Sequence, residues 1–341
     1  MAEKKQQKAD IVDVAKAARV SPSTVSRSFN HPEMVNPATR KKINRAVERL
    51  GYIRNRAAQT MHGRRSGTIG LIVPTINHTI FSEVIQAFSD AIDAAGFTLL
   101  IASHGYDLDR EYAMMRKLLE HRVDGIALIG LEHTQASFNL IEQQAIPAIA
   151  IWNHNATSSM SCVGANNHDA GYMAAQHLLS LGHRDIGLVF PQTTGNDRAR
   201  ERLQGAVDAL EEAGAIVPEH WRSEAPYSIA QAKRATLMLL ETAPHPTALL
   251  CGNDVIAQGA LYAAQKLGFA VPGEISIIGI GDFKGSEDLE PGLTTINIPA
   301  HDIGTIAGEN FTRMITTNDT EIHRFKCELS CVIRNTTAPK L

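Results

Sequence analysis

The sequence predicts an α/β protein in three parts: a small all-helical unit over residues 1–66, then two doubly wound lobes over residues 67–341. Three observations carry this. Charge divides sharply, with 15 Lys and Arg against 5 Asp and Glu in the first 66 residues and 18 against 31 in the rest. Apolar residues recur at helical spacing before Gly67, and after it short unbroken apolar runs alternate with amphipathic helices. The alternation comes as two successive series, and unbroken apolar strands are what parallel sheets covered on both faces require. With 341 residues, 44% hydrophobic and 20% charged, the chain has ample length for buried cores and an ordinary globular composition.

Several classes fall away at once. No run of about 18 apolar residues exists to cross a bilayer. Met1 to Asp10 is polar and lysine-rich with no apolar stretch behind it, so no secretory leader is expected and the cytoplasm is the expected compartment. Four cysteines (Cys162, Cys251, Cys327 and Cys331) are too few for a disulfide framework. No Walker-type loop, Gly-x-Ser-x-Gly or His-Glu-x-x-His occurs. Gly279-Ile280-Gly281 lacks the third glycine of a dinucleotide fingerprint, where Lys284 stands. No catalytic residue, metal ligand or cofactor is therefore expected, and the chain does not read as an enzyme.

In the helical unit, Ile11, Val14, Ala15 and Ala18 line one face of a first helix. A short turn at Arg19 and Val20 follows. Ser21 is an N-cap with Pro22 at the first helical position, and the second helix runs from about Pro22 to Phe29 with Val25 and Phe29 inward. A third helix starts after Asn36-Pro37, carries Ile43, Val47 and Leu50 inward and Arg40, Lys41, Lys42, Arg45 and Arg49 outward, and stops at Gly51. Helix, tight turn and short helix with hydroxyls and an arginine on its exposed side make a helix-turn-helix, whose second helix enters the major groove. Pro22, Ser23 and Arg27 are expected at base edges, Arg27 with guanine in bidentate fashion, and Thr24, Ser26 and Asn30 at phosphates. A basic end on an acidic body suits the same reading.

The strings Ile11-Val12-Asp13-Val14-Ala15, Val20-Ser21-Pro22-Ser23-Thr24-Val25-Ser26-Arg27 and Leu50-Gly51-Tyr52-Ile53-Arg54-Asn55 resemble the headpiece of LacI/GalR-type (lactose/galactose repressor) transcriptional regulators. The resemblance adds Tyr52 and Asn55 to the DNA-binding set. It also implies a hinge helix over about 55–63 that places Ala58 and Met61 in the minor groove, Met61 as an apolar wedge where the family usually has Leu. Two positions depart from the pattern. Arg19 stands where the turn usually has Gly, so a positive φ there carries a penalty. Arg54 replaces a common Pro, which predicts a looser path into the next segment.

The body follows in order. Apolar strands are expected at Ile69–Val73, Thr98–Ala102, Gly125–Ile129 and Ala148–Ile151, with a helix whose face is Phe81, Val84, Ile85, Phe88 and Ile92 after the first and a charged helix from about Asp107 to His121 after the second. A second series has a helix over Ala170–Leu181, a strand at Ile186–Phe190, a helix opened by Arg202, strands at Ala248–Cys251 and Ile275–Ile278, and a helix over Val255–Leu267. Leu181-Gly182-His183-Arg184, Arg202-Leu203-Gln204-Gly205, Asn253-Asp254 and Leu293-Thr294-Thr295-Ile296 extend the resemblance over nearly the whole chain. It implies Rossmann-like lobes of a periplasmic-binding-protein-like core that binds an effector and dimerises. The first lobe would hold about 67–166 and 297–326, the second about 167–296 and 327–341.

Doubly wound lobes bind ligands at the carboxyl ends of their strands, and a cleft between two of them is the natural pocket. Asn77, Phe81, Glu132 and Trp152 from the first lobe, and Arg198, Arg202, Tyr227, Asn253 and Asp282 from the second, are the expected effector contacts. The resemblance to the family's pockets implies that Arg202 grips a ligand oxygen or carboxylate and that Phe81 and Tyr227 wall the pocket. Gly281-Asp282, and His104-Gly105-Tyr106 after the second strand, are similar to the gluconate-repressor branch, which favours a sugar acid. The function expected is a sequence-specific regulator, acting as a repressor. A homodimer would read a palindromic operator under control of a sugar or sugar-acid effector, with no membrane partner. The competing reading, a periplasmic-type sugar-binding protein without a DNA role, leaves the basic unit and the missing leader unexplained.

Overall fold

The structure is a computed structural model that describes residues 8–54, 65–76 and 79–340. The chain divides into two compact units, Met1–Ser66 and Gly67–Leu341.

The first unit is helical. Helix α1 (Ile11–Ala18) opens on a capping box in which the Asp10 carboxylate accepts from the Val12 and Asp13 amides and Asp13 reaches back to the Asp10 amide. It ends on Arg19 in the left-handed region, φ 58°, the conformation for which a glycine would carry no side-chain penalty. Helix α2 (Pro22–Asn30) is capped by Ser21, whose Oγ accepts from the Thr24 amide. A 3₁₀ turn (Pro32–Met34) leads to α3 (Pro37–Leu50), closed by Gly51 at φ 58°. Val14, Ala15, Ala18, Val25, Ile43 and Ala46 make the buried core, with Phe29, Val47, Leu50 and Tyr52 packed around it. Val47 and Leu50, expected fully inward, are half-buried, because Ala46 points at the centre of the small cluster.

The second unit contains two six-stranded sheets. The first series is β1 (Thr68–Val73), α4 (Ser82–Ala94), β2 (Thr98–Ser103), α5 (Leu108–Glu120), β3 (Gly125–Ile129), α6 (Gln135–Gln144), β4 (Ala148–Asn153) and β5 (Ser161–Ala165). The chain then crosses to α7 (Asn167–Ser180), β6 (Ile186–Phe190), α8 (Asp197–Glu212), β7 (Arg222–Glu224), α9 (Ile229–Leu240), β8 (Ala248–Cys251), α10 (Asp254–Leu267), β9 (Ser276–Gly281) and β10 (Thr294–Asn297). Helix α11 (Ala300–Thr317) returns to pack on α4, and β11 (Arg324–Lys326) pairs with β5. A last crossing sends β12 (Ser330–Val332) back to pair antiparallel with β10. The sheet orders are β11-β5-β4-β3-β1-β2 and β12-β10-β9-β8-β6-β7, and every pairing except β10 with β12 is parallel. All parallel strands of a sheet therefore end on one side.

The strands with buried apolar runs lie where periodicity puts them. Helix α8 begins five residues earlier than expected: Asn196 caps it and Asp197 opens it, so Arg202 sits in its second turn. Two glycines set its distance from α7. A Cβ at Gly171 would fall on the Arg202 carbonyl, and one at Gly205 on the His168 carbonyl, so the two helix backbones touch. Among the described residues, no helix is long and apolar enough to cross a membrane.

Candidate functional site

On the helical unit, Pro22, Ser23 and Arg27 are exposed on α2, as are Arg40, Lys41, Lys42, Arg45 and Arg49 on α3. The residues expected at phosphates are more committed. The Thr24 hydroxyl lies 2.8 Å from Ser21 Oγ within the cap, and Ser26 Oγ accepts from Asn30 Nδ2 at 3.3 Å. Arg54, expected to loosen the path onward, is instead tied to α2. Its Nη2 donates to Asn30 Oδ1, and its guanidinium lies over the Phe29 ring at 5.4 Å, with Tyr52 packed on the same ring. Asn55, Ala58, Met61 and the hinge helix lie outside the described residues, as does Asn77.

In the second unit the expected effector residues gather at the carboxyl ends of the strands, but they do not share one role. Phe81 and Trp152 are buried against each other edge to face, 5.3 Å between centroids. Trp152 has φ 88°, and its Nε1 has no hydrogen-bond partner among the described residues. Glu132 pairs with Arg200 at 2.9 Å. Tyr227 receives a hydrogen bond from Asn196 Nδ2, and its ring faces Tyr106 of the first lobe across 5.7 Å. Burial pushes the Tyr106 hydroxyl up from its ordinary value. Asp282, expected to meet the effector, is committed elsewhere: φ is 52° and its carboxylate pairs with Arg334 Nη1 at 2.8 Å. The neighbouring Asp254 is a loop clamp, accepting from Thr295 Oγ1, Ser286 Oγ and the Phe283 amide.

Asn253 caps α10 through Oδ1, leaving its buried Nδ2 without a partner among the described residues. Arg202 is 3% exposed. Its Nε donates to Asn167 Oδ1 at 2.7 Å and its Nη1 to the Gly252 carbonyl at 3.1 Å. Both acceptors are neutral, and among the described residues no carboxylate lies within ion-pair distance of it. Desolvation lowers the pKa of this guanidinium from its ordinary value. Arg198, next along α8, is paired with Asp197 at 2.8 Å and donates to the Ile129 carbonyl. Sequence reasoning missed Asp197 and Asn167 as parts of this centre, although Asn153, after the fourth strand, was among the candidates. The only available signal was Asn196-Asp197 as a capping pair at the start of a helix after a strand.

A basic helix-turn-helix followed by two parallel-sheet lobes around a polar, partly unsatisfied centre defines a DNA-binding regulator with an effector-binding domain. The comparisons agree. Residues 10–55 match the description "Bacterial regulatory proteins, lacI family" and residues 175–337 "Periplasmic binding protein-like domain". The HTH-type transcriptional repressor PurR of Proteus mirabilis is 32% identical over 301 residues, 88% of each chain. Among solved structures, the transcription regulator GntR from Chromobacterium violaceum is 30% identical with a TM-score of 0.75, covering 79% of this chain and 99% of that one. The lac repressor dimer bound to operator and the anti-inducer ONPF is 26% identical with a TM-score of 0.86, covering 97% and 100%. The chain belongs to the LacI family of DNA-binding transcriptional repressors.

Proposed function

We propose that this repressor binds a palindromic operator as a homodimer in the cytoplasm, and that a small anionic sugar derivative of the gluconate class, held between the two lobes, sets its affinity for DNA. The observation that carries the effector class is Arg202, a buried guanidinium that meets only neutral acceptors among the described residues. A buried charge without a counter-charge costs several kcal/mol, roughly 3–5 when a pair is broken. A ligand carboxylate recovers that cost, and a bidentate contact adds direction. The unpartnered donors Asn253 Nδ2 and Trp152 Nε1 supply further contacts for ligand oxygens. The solved lac repressor complex, a dimer holding operator and anti-inducer together, supports the assembly and the logic.

The test is a thermal-shift screen of the full chain against sugars, sugar acids, their phosphates and purines. A ligand at about 100 times its Kd stabilises by roughly 2.7 kcal/mol. A shift with gluconate that disappears in Arg202→Ala is the expected result. Shifts confined to neutral sugars or purines would overturn the anionic class.

A further inference from the structure

The polar chain that begins at Arg202 continues between the lobes. Arg202 Nε donates to Asn167 Oδ1 at 2.7 Å, Asn167 Nδ2 donates to Asn153 Oδ1 at 3.1 Å, and Asn153 Nδ2 donates to Asp197 Oδ2 at 2.9 Å. Each amide accepts on one side and donates on the other, so the relay has a single direction, from a guanidinium to a carboxylate. All four residues are buried, none more than 4% exposed. Arg202 and Asp197 come from α8 and Asn167 from α7, both in the second lobe, while Asn153 ends β4 of the first.

At the far end, Asp197 fastens the first lobe. Its Oδ2 also accepts from the amides of Leu131 at 2.7 Å and Glu132 at 3.2 Å, and its Oδ1 pairs with Arg198, whose Nη1 reaches the Ile129 carbonyl. The receiving loop is shaped for this contact. Gly130 has φ 92°, and a Cβ there would fall on Arg198 Nη1 and within 2.8 Å of Asp197 Oδ1. His133 braces the loop from below, with Nδ1 2.9 Å from Glu111 Oε1 and Nε2 3.2 Å from the Gly130 carbonyl.

We infer that Asp197 is an inter-lobe latch that holds the cleft shut, and that the Asn153–Asn167 relay ties the latch to Arg202. A seam of this kind is reversible in a way an apolar seam is not. When the lobes part, the carboxylate and the two loop amides exchange protein partners for water, so opening leaves no buried donor stranded. An effector carboxylate on Arg202 then acts at one end of a hydrogen-bond chain whose other end is the closing contact, and polarisation along such a chain couples the two. The inference rests on reading the cleft as the effector site, but its test needs no effector. Failure of gluconate to bind leaves the latch result standing.

The test is hydrogen exchange on the full chain with no ligand added, followed at the Leu131 and Glu132 amides. Both are expected to be protected, and Asp197→Ala is expected to speed them about tenfold or more while β3 and α8 stay protected. Should Asp197→Ala fail to fold, Gly130→Ala attacks the same latch from the first lobe and is expected to do likewise. Arg202→Ala is expected to change exchange at these amides, and to do so no longer when Asn153 is also Ala, since a relay is non-additive by nature. Unprotected amides in the unliganded wild type would overturn the latch, and full additivity of Arg202→Ala with Asn153→Ala would overturn the relay.

Discussion

Glu201 lies on α8 between Asp197 and the buried arginine, and its carboxyl, ordinarily near 4.5, is pushed up to about 7, by burial first and then by Asp197. Between those values the folded chain keeps a proton that the unfolded chain has released, so stability falls as pH rises through that window. Glu201→Gln removes the cost. Urea denaturation should find the variant more stable than wild type at pH 8, with the gain fading towards pH 4.5; a difference independent of pH would mean the carboxyl titrates normally. Buried His104 and His183 and half-buried His177 work the other way, desolvation holding each below its ordinary 6.5, so their contribution is lost as pH falls below that value. Comparing variant with wild type cancels them. On α2, Arg27 is exposed and carries the base-reading expectation. Arg27→Ala should cost about 1–3 kcal/mol in operator binding and relax preference at one base pair. Uniform weakening on every sequence in a binding assay would reduce it to a phosphate contact.

At the scale of elements, the contact of α7 with α8 decides where the buried arginine points. Glycine inside a helix normally costs about 0.5–1 kcal/mol relative to alanine, so a Gly→Ala change would ordinarily stabilise. Gly205 reverses that sign, because its Cβ would collide with the His168 backbone. Gly205→Ala should destabilise by about 1–3 kcal/mol and weaken binding of the proposed anionic effector by moving Arg202 away from Asn167. A variant as stable as wild type in thermal melts would show that the helices part without strain. The same elements show what the sequence made legible. Strands such as Ile69–Val73 and Gly125–Ile129 announce themselves because both faces are buried. β7, three largely polar residues at a sheet edge, and α6, whose apolar face is thin, give no such signal. The start of α8 was misplaced because Arg202 looked like an opening residue, whereas Asn196 and Asp197 hold the cap.

Across the whole molecule, the centre between the lobes was legible as a location but not as a wiring diagram. Strand ends point to it, and the identities of Arg202, Asn253 and Tyr227 fit it. That Asp282 belongs to Arg334, and that Asp197 belongs to a first-lobe loop, depends on partners 52 and more than 60 residues away, which no local pattern encodes. The Phe81 contact is of the same kind: an aromatic after a strand can face a cleft or its neighbour's ring, and here it packs edge to face on Trp152.

The chain passes between the two sheets three times, and the last pass comes only after β11. Neither lobe is a continuous stretch of polypeptide. As the protein emerges from a ribosome, the helical unit has its whole core in hand by residue 54, and domains fold as units as they are synthesised. The first sheet lacks an edge strand until residue 326 has been added, and the second until residue 332. The DNA-reading part is therefore finished long before the part that governs it, and a nascent chain acquires its control only after residue 332 has been added.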